Sequence, residues 1–196
     1  MRISGGAARG IPLQVPKGDA VRPATDGLRQ AVFSSVAARV AGARFLDLFA
    51  GSGAYGLEAL SRGAAGGIVV EKNAKAAGCL HRNLAAVCKS LGRGLEHLEI
   101  RQMDALTAPL DANGRPPEIV FVDPPYEIIA EVSPRLFVRL AELLVAQPDA
   151  LVVFEMPGEL TLSPPGWTCL KRLGKGIRQP TVCFFQKPSV LPGTDA

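Results

Sequence analysis

Cysteine and histidine are scarce in this chain, and the few present form no metal-binding or redox pattern. Cys79, Cys88, Cys169 and Cys183 contain no C-x-x-C pair, and Cys79 and Cys88, nine positions apart on an expected helix, turn to roughly opposite faces at about 100° per residue. They read as packing residues, neither ligands nor disulfides. His81 and His97 lie near no expected strand end that would face a cofactor, so both are assigned to the surface and no metal is expected. No apolar stretch reaches the roughly 20 residues that cross a bilayer, and no basic region followed by an apolar signal core opens the chain. A cytoplasmic protein with no membrane partner is expected. Repeats and low-complexity segments are also lacking, and 196 residues suit one main domain with one substantial core. A second catalytic domain has no room.

Net charge is absent from most of the chain as well. Residues 1–43 carry six basic residues (Arg2, Arg9, Lys17, Arg22, Arg29, Arg39) against Asp19 and Asp26, while the remainder carries sixteen of each sign. The whole net charge of +4 therefore lies in the first segment. Such a segment is either a solvated surface or a patch that meets phosphate.

What is present is an alternation of apolar runs and amphipathic stretches. Strands are expected at 44–49, 68–70, 98–101, 119–122 and 151–155, with helices over 57–62, 73–91 and 134–145. The second helix would bury Leu80, Leu84, Val87 and Leu91. This order implies an α/β, Rossmann-like architecture with a mostly parallel, doubly wound sheet. Two more apolar runs, 168–173 and 181–186, have no helix between them and should close the sheet as an antiparallel hairpin, giving seven strands. Residues 1–23, rich in glycine and proline, suit a short arm; Thr25 or Asp26 can cap a helix with Leu28, Val32, Val36 and Val40 on one face. The expected division is an arm with its helix (1–43), an α/β domain (44–188) and a loose tail (189–196).

The run Ile119-Val120-Phe121-Val122 stops on Asp123-Pro124-Pro125-Tyr126. The prolines donate no backbone N–H and fix their own φ, so they end the ladder and hold the Asp123 carboxylate and nearby carbonyls outward as acceptors. Acceptors on the hydrogens of an exocyclic amine would localise its lone pair, and Tyr126 could stack on the attached ring. Taken alone, the tetrapeptide also serves as a strand-ending turn.

A second motif follows the first strand. Gly51, Gly53 and Gly56 spell G-x-G-x-x-G, and Glu71 closes the next apolar run, an opening that suits NAD or S-adenosylmethionine. Three acids favour the sulfonium cofactor. Asp47 precedes the glycines within its strand, suited to a cationic amino acid and unsuited to a pyrophosphate; Asp104 follows the third strand; and hydride transfer gives Asp123 no task.

The succession Arg22-Pro23-Ala24-Thr25-Asp26, Leu46-Asp47-Leu48-Phe49-Ala50-Gly51-Ser52-Gly53, Glu71-Lys72-Asn73, Asp104 and Asp123-Pro124-Pro125-Tyr126 resembles the bacterial RsmD family of small-subunit ribosomal RNA guanine-N2 methyltransferases. The resemblance runs from Met1 to about Lys187. It implies a class I methyltransferase fold with S-adenosylmethionine held by Asp47, Phe49, Ala50, Gly51, Gly53, Glu71, Lys72, Asn73, Asp104 and Ala105. Asp123, Pro124, Pro125 and Tyr126 would form the catalytic group, and Arg9, Arg22, Thr25 and Arg29 the RNA contacts, making the basic segment a phosphate-binding arm. The expected partner is ribosomal RNA within a small-subunit particle, and a monomer is the simpler expectation. Two departures bear on the substrate. The family pattern Thr-Asp-Arg-x-Arg-Glu is broken by Gly27 and Gln30, which removes one positive charge, and Gly176-Ile177-Arg178-Gln179-Pro180-Thr181 lacks an aromatic residue. Open alternatives are an adenine-N6 or cytosine-N4 methyltransferase acting on DNA, a non-catalytic RNA-binding factor that keeps the fold, and methylation of a protein glutamine amide.

Overall fold

Apolar β-rich runs that end on acids and glycines build the centre of the molecule. The structure, a computed structural model, describes residues 1–16, 26–110, 115–174, 176–177 and 179–188. Strands β1 (Arg44–Leu48), β2 (Gly66–Val70), β3 (Leu98–Arg101), β4 (Ile119–Val122) and β5 (Leu151–Pro157) lie parallel. β6 (Thr168–Leu173) and β7 (Pro180–Gln186) form the antiparallel pair, and β7 joins the sheet along β5. The order β3-β2-β1-β4-β5-β7-β6 is that of a Rossmann-like sheet of seven strands. β2 and β4 are buried along their whole length, as expected where helices cover both faces of a parallel sheet.

Helices α1 (Asp26–Ser35), α2 (Ala37–Val40), α3 (Ala54–Ser61) and α4 (Ala74–Leu91) pack with the arm on one face, around Phe33, Phe45, Leu57, Leu80, Val87 and Phe121. Helix α5 (Ile129–Leu143) covers the other, around Leu136, Phe137, Leu140, Val120 and Phe154. Among the described residues no helix is long and apolar enough to cross a membrane.

Two local expectations are corrected. The helix through Val40 is interrupted at Val36 (φ −110°, ψ 14°), although Val32, Val36 and Val40 are all buried. Helix α5 starts at Ile129, one turn and more before Pro134, because a proline in the second turn forfeits a single helical hydrogen bond. Cys79 and Cys88 are both buried; they occupy the two edges of a buried stripe about half the circumference wide, spanning Cys79, Leu80, Asn83, Leu84, Val87 and Cys88. The tail from residue 189 lies outside the described residues.

The arm is tied to α3 and α4 by specific polar contacts. Ile3 N–H donates to the Ile11 carbonyl and the Ile3 carbonyl accepts from Gly10 N–H in a hairpin-like turn, Ala7 N–H donates to the Ser61 carbonyl, and Ala8 N–H donates to Ser61 Oγ. Asn83, buried on α4, accepts from Gln14 N–H at 2.8 Å and donates both to the Gln14 carbonyl and to the Ser52 carbonyl, each at 2.9 Å. One side chain thus joins the arm to the glycine turn.

Candidate functional site

The sheet order reverses between β1 and β4, which opens a crevice at the carboxyl ends of the strands. Along that edge stand, in spatial order, Asp104 beyond β3, Glu71 beyond β2, the glycine turn beyond β1, Asp123 beyond β4 and Glu155 in β5.

The glycine turn is shaped by close approach. Gly56 N–H donates to Asp47 Oδ2 at 2.8 Å, and a Cβ on Gly56 would come within 3.0 Å of that same oxygen and of the Phe45 ring. Gly53 has φ 86° and opens α3; a Cβ there would meet Leu80 Cδ1 at 2.2 Å. Phe49, just upstream, holds φ 58° without being glycine, a conformation that costs on the order of 1–3 kcal/mol and concentrates at ligand sites. Asp47 is 1% exposed, and its Oδ1 has no hydrogen-bond partner among the described residues. Burial pushes its carboxyl up to about 7, against the Gly56 N–H bond that lowers it and with the Glu71 charge adding to the rise.

Glu71 reaches back to the turn. It accepts from Gly51 N–H at 2.7 Å and from Asn73 N–H at 2.6 Å. Asn73 Oδ1 caps α4 by accepting from Lys75 and Ala76 N–H. Lys72 Nζ pairs with Asp104 Oδ2 at 2.8 Å, and Leu106 N–H donates to Asp104 Oδ1. The Lys72 hydrogen bond is the main reason the Asp104 carboxyl lies below its ordinary range. Ala105 is buried next to it, while Phe49 and Ala50 are half-buried.

On the other side of the crevice Asp123 is half-buried, Pro124 buried, and Pro125 and Tyr126 exposed. Asp123 N–H donates to the Leu48 carbonyl at 3.3 Å, which fixes the end of β4 against the start of the glycine turn. Desolvation raises the Asp123 carboxyl well above its ordinary value, and the Glu155 and Asp47 charges raise it further. Glu155 is 2% exposed and accepts from Tyr55 Oη at 2.7 Å.

The arrangement is acidic along the β1–β3 side. Asp47, Glu71 and Asp104 suit hydroxyls, amines and positive charge, and oppose a pyrophosphate. Among the described residues no group of three or more His, Cys, Asp or Glu could hold a metal ion.

The expected RNA-contacting residues separate. Arg9 is exposed at the turn of the arm. Arg22 and Thr25 lie outside the described residues. Arg29 is a correction: it is 0% exposed, with Nε to Glu58 Oε2 at 3.3 Å and Nη2 to Asp26 Oδ1 and the Arg2 carbonyl, so it is spent inside the protein and presents no surface to a phosphate. Gly27 and Gln30, where the pattern departs from the family, are exposed on the same helix.

Sequence reasoning missed Tyr55, Glu58 and Glu155. Glu155 carried a signal, since it ends an apolar run as Asp123 does; Tyr55 and Glu58 sit within a helix whose pattern marks them only as core. Also missed was a groove of about 610 Å³ between the arm and α4, lined by Gln14, Lys75 and Arg82 among others.

The family model described as "Conserved hypothetical protein 95" matches residues 1–185. Ribosomal RNA small subunit methyltransferase D of Escherichia coli K12 is 41% identical over 126 residues, which cover 64% of this chain and 60% of that protein; the match thus spans about three-fifths of the relative's length. A solved Escherichia coli structure, yhhF, provisionally described as a methyltransferase, is 32% identical with a TM-score of 0.73, covering 95% of this chain and 97% of the other. An RNA methyltransferase from Salinibacter ruber, solved with S-adenosyl-L-homocysteine, is 17% identical with a TM-score of 0.59 over 92% of this chain and 97% of its own, a likeness of fold.

Proposed function

The chain belongs to the conserved hypothetical protein 95 family, the RsmD type, and from this premise we propose that it methylates the exocyclic N2 amine of a guanine in small-subunit ribosomal RNA. The observation that carries the reading is the placement of Asp123-Pro124-Pro125-Tyr126 directly across the crevice from the glycine turn, the two joined by the Asp123 N–H bond to Leu48. The donor is S-adenosylmethionine, whose sulfonium supplies an already activated methyl group when bound.

The residues fit that cofactor. The buried, unpartnered Asp47 Oδ1 lies beside the turn where the amino-acid end would sit, Glu71 suits the ribose hydroxyls, and Asp104 with Lys72, Asn73 and Ala105 borders the adenine. Phe49, Ala50, Gly51 and Gly53 provide backbone that a bulky ligand can approach. The Asp123 carboxylate and the Pro124 carbonyl would hold the two amine hydrogens and aim the nitrogen lone pair, with Tyr126 against the ring of a guanine swung out of its helix. Nitrogen becomes cationic as it is methylated, so proton loss is easy and no strong base is needed. Alignment and the fixed acceptors account for most of the rate. The RNA backbone runs over Arg9 and the arm, with Arg22 and Thr25 as further contacts, and the substrate is a small-subunit particle met by a cytoplasmic monomer.

Transfer of labelled methyl from S-adenosylmethionine to unmodified small-subunit particles tests this, with naked ribosomal RNA, duplex DNA and Asp123→Ala run in parallel. The expected product is N2-methylguanine, reduced by on the order of 10²–10³ in the variant with cofactor affinity kept. Label confined to DNA or protein, or a variant as active as the parent, would sink the proposal.

A further inference from the structure

Glu155 has no task in the mechanism above, yet it stands next to the group that does. Phe154 pairs with Val122, so Glu155 and Asp123 are each the next residue on neighbouring parallel strands. Glu155 is held by Tyr55, whose ring is stacked on Phe121 at 5.2 Å and 17° and lies 6.3 Å from Phe33. The phenol is therefore fixed in place, and with it the carboxylate that accepts from it.

Charged groups reach this pair from α1 and β1. From α1, Arg29 bears on both Tyr55 and Glu155, but its guanidinium bonds Glu58, Asp26 and the Arg2 carbonyl, and Nη1 is without a hydrogen bond among the described residues. From β1, Asp47 adds negative charge at Asp123. On its far side β7 sets Val182 opposite Glu155 and adds no charge. Two carboxylates side by side, Glu155 buried and Asp123 half-buried, oppose each other's ionisation; burial raises both, and the Glu155 charge raises Asp123 further. The Tyr55 hydrogen bond favours the charged form of Glu155, and Asp123 accepts no such bond among the described residues.

Resting on the reading of Asp123 as the amine acceptor, we propose that Glu155, oriented by Tyr55, is a positioning residue that shares one proton with Asp123 and so sets the pH above which Asp123 presents a charged acceptor to the amine. A protonated Asp123 keeps an acceptor oxygen but no charge to balance the cation forming on nitrogen. Neither Glu155 nor Tyr55 exchanges a bond with the substrate, and the proton that Asp123 releases goes to water at its half-exposed edge.

The test is the pH dependence of single-turnover methyl transfer, paired with a carbon-13 NMR titration of the Asp123 carboxyl in RNA-free protein, its signal assigned by loss in Asp123→Asn. Glu155→Gln removes the competing charge at nearly constant shape. Both the rising limb and the Asp123 titration should move to lower pH by about one unit, and Tyr55→Phe should move them the same way by less. An Asp123 titration unmoved in Glu155→Gln overturns the proposal, as does a limb that stays put while the titration shifts. A shifted titration in a wild type that methylates no RNA at any pH supports the shared proton and brings down only the reading of the reaction. Should Glu155→Gln fail to fold, Tyr55→Phe carries the same comparison.

Discussion

Asp47 shows what one buried carboxyl does to a site. Its folded-state value of about 7 lies above its ordinary 3.8, so between roughly pH 4 and 7 the folded protein holds a proton that the unfolded chain has released. By linkage this contribution to stability is complete below about pH 4 and is lost as pH rises through 7. Asp47→Asn should therefore be more stable than the parent at pH 8, by about 2–4 kcal/mol, with the gain shrinking as pH falls toward 4. The same variant should bind S-adenosylmethionine at least tenfold more weakly. Thermal unfolding across pH and calorimetric titration measure the two effects; a pH-independent change in stability would contradict the assigned ionisation. Affinity for a cation at this turn is thus bought with stability in its absence.

At the level of elements, α1 divides into an inner face spent on structure and an outer face open to a partner. Gly27 lies on the outer face, with an ordinary φ and open space where a Cβ would project. Gly27→Arg restores the charge that the family pattern carries there and favours the helix by about 0.8–1 kcal/mol in propensity. The expected outcome is tighter ribosomal RNA binding, with the magnitude of the log–log salt slope rising by about 0.7–0.9, read from a binding series over salt concentration. An unchanged slope would place RNA away from α1. The strands β3, β4 and β6 were legible to the residue, β4 because its apolar run lies between Glu118 and Asp123 and β6 because it stops at Gly174. The α1 faces were not, since whether Arg29 looks inward depends on Glu58, 29 residues away, which no local pattern reports. Asp47, Glu71, Asp104 and Asp123 were legible as a set because parallel strands deliver their ends to one edge; Glu155 was passed over although it obeys the same rule.

For the molecule as a whole, Glu58 is the junction between arm, α1 and α3. It is 0% exposed and accepts from Ser4 N–H and Oγ, from Arg29 and from Arg62. Removing it in Glu58→Ala leaves the buried Arg29 with only the partly exposed Asp26 as counter-charge and should cost about 3–5 kcal/mol, measured by denaturant unfolding. Hydrogen exchange should show Ser4, Ala7 and Ala8 losing protection first; a loss below about 1 kcal/mol would mean the ion pair adds little to the fold. The sheet carries a second long-range dependence. β7 follows β6 in the chain yet lies between β5 and β6, so during synthesis the strand that completes the interior of the sheet emerges after both of its neighbours. Until it inserts, β5 presents an open apolar edge able to pair with other chains, and contacts spanning this much sequence form slowly. Emerging polypeptide therefore passes through a stretch in which the sheet is incomplete beyond β5 and prone to aggregate, and a chaperone that shields β5 would raise the yield of folded protein more than one acting on the arm.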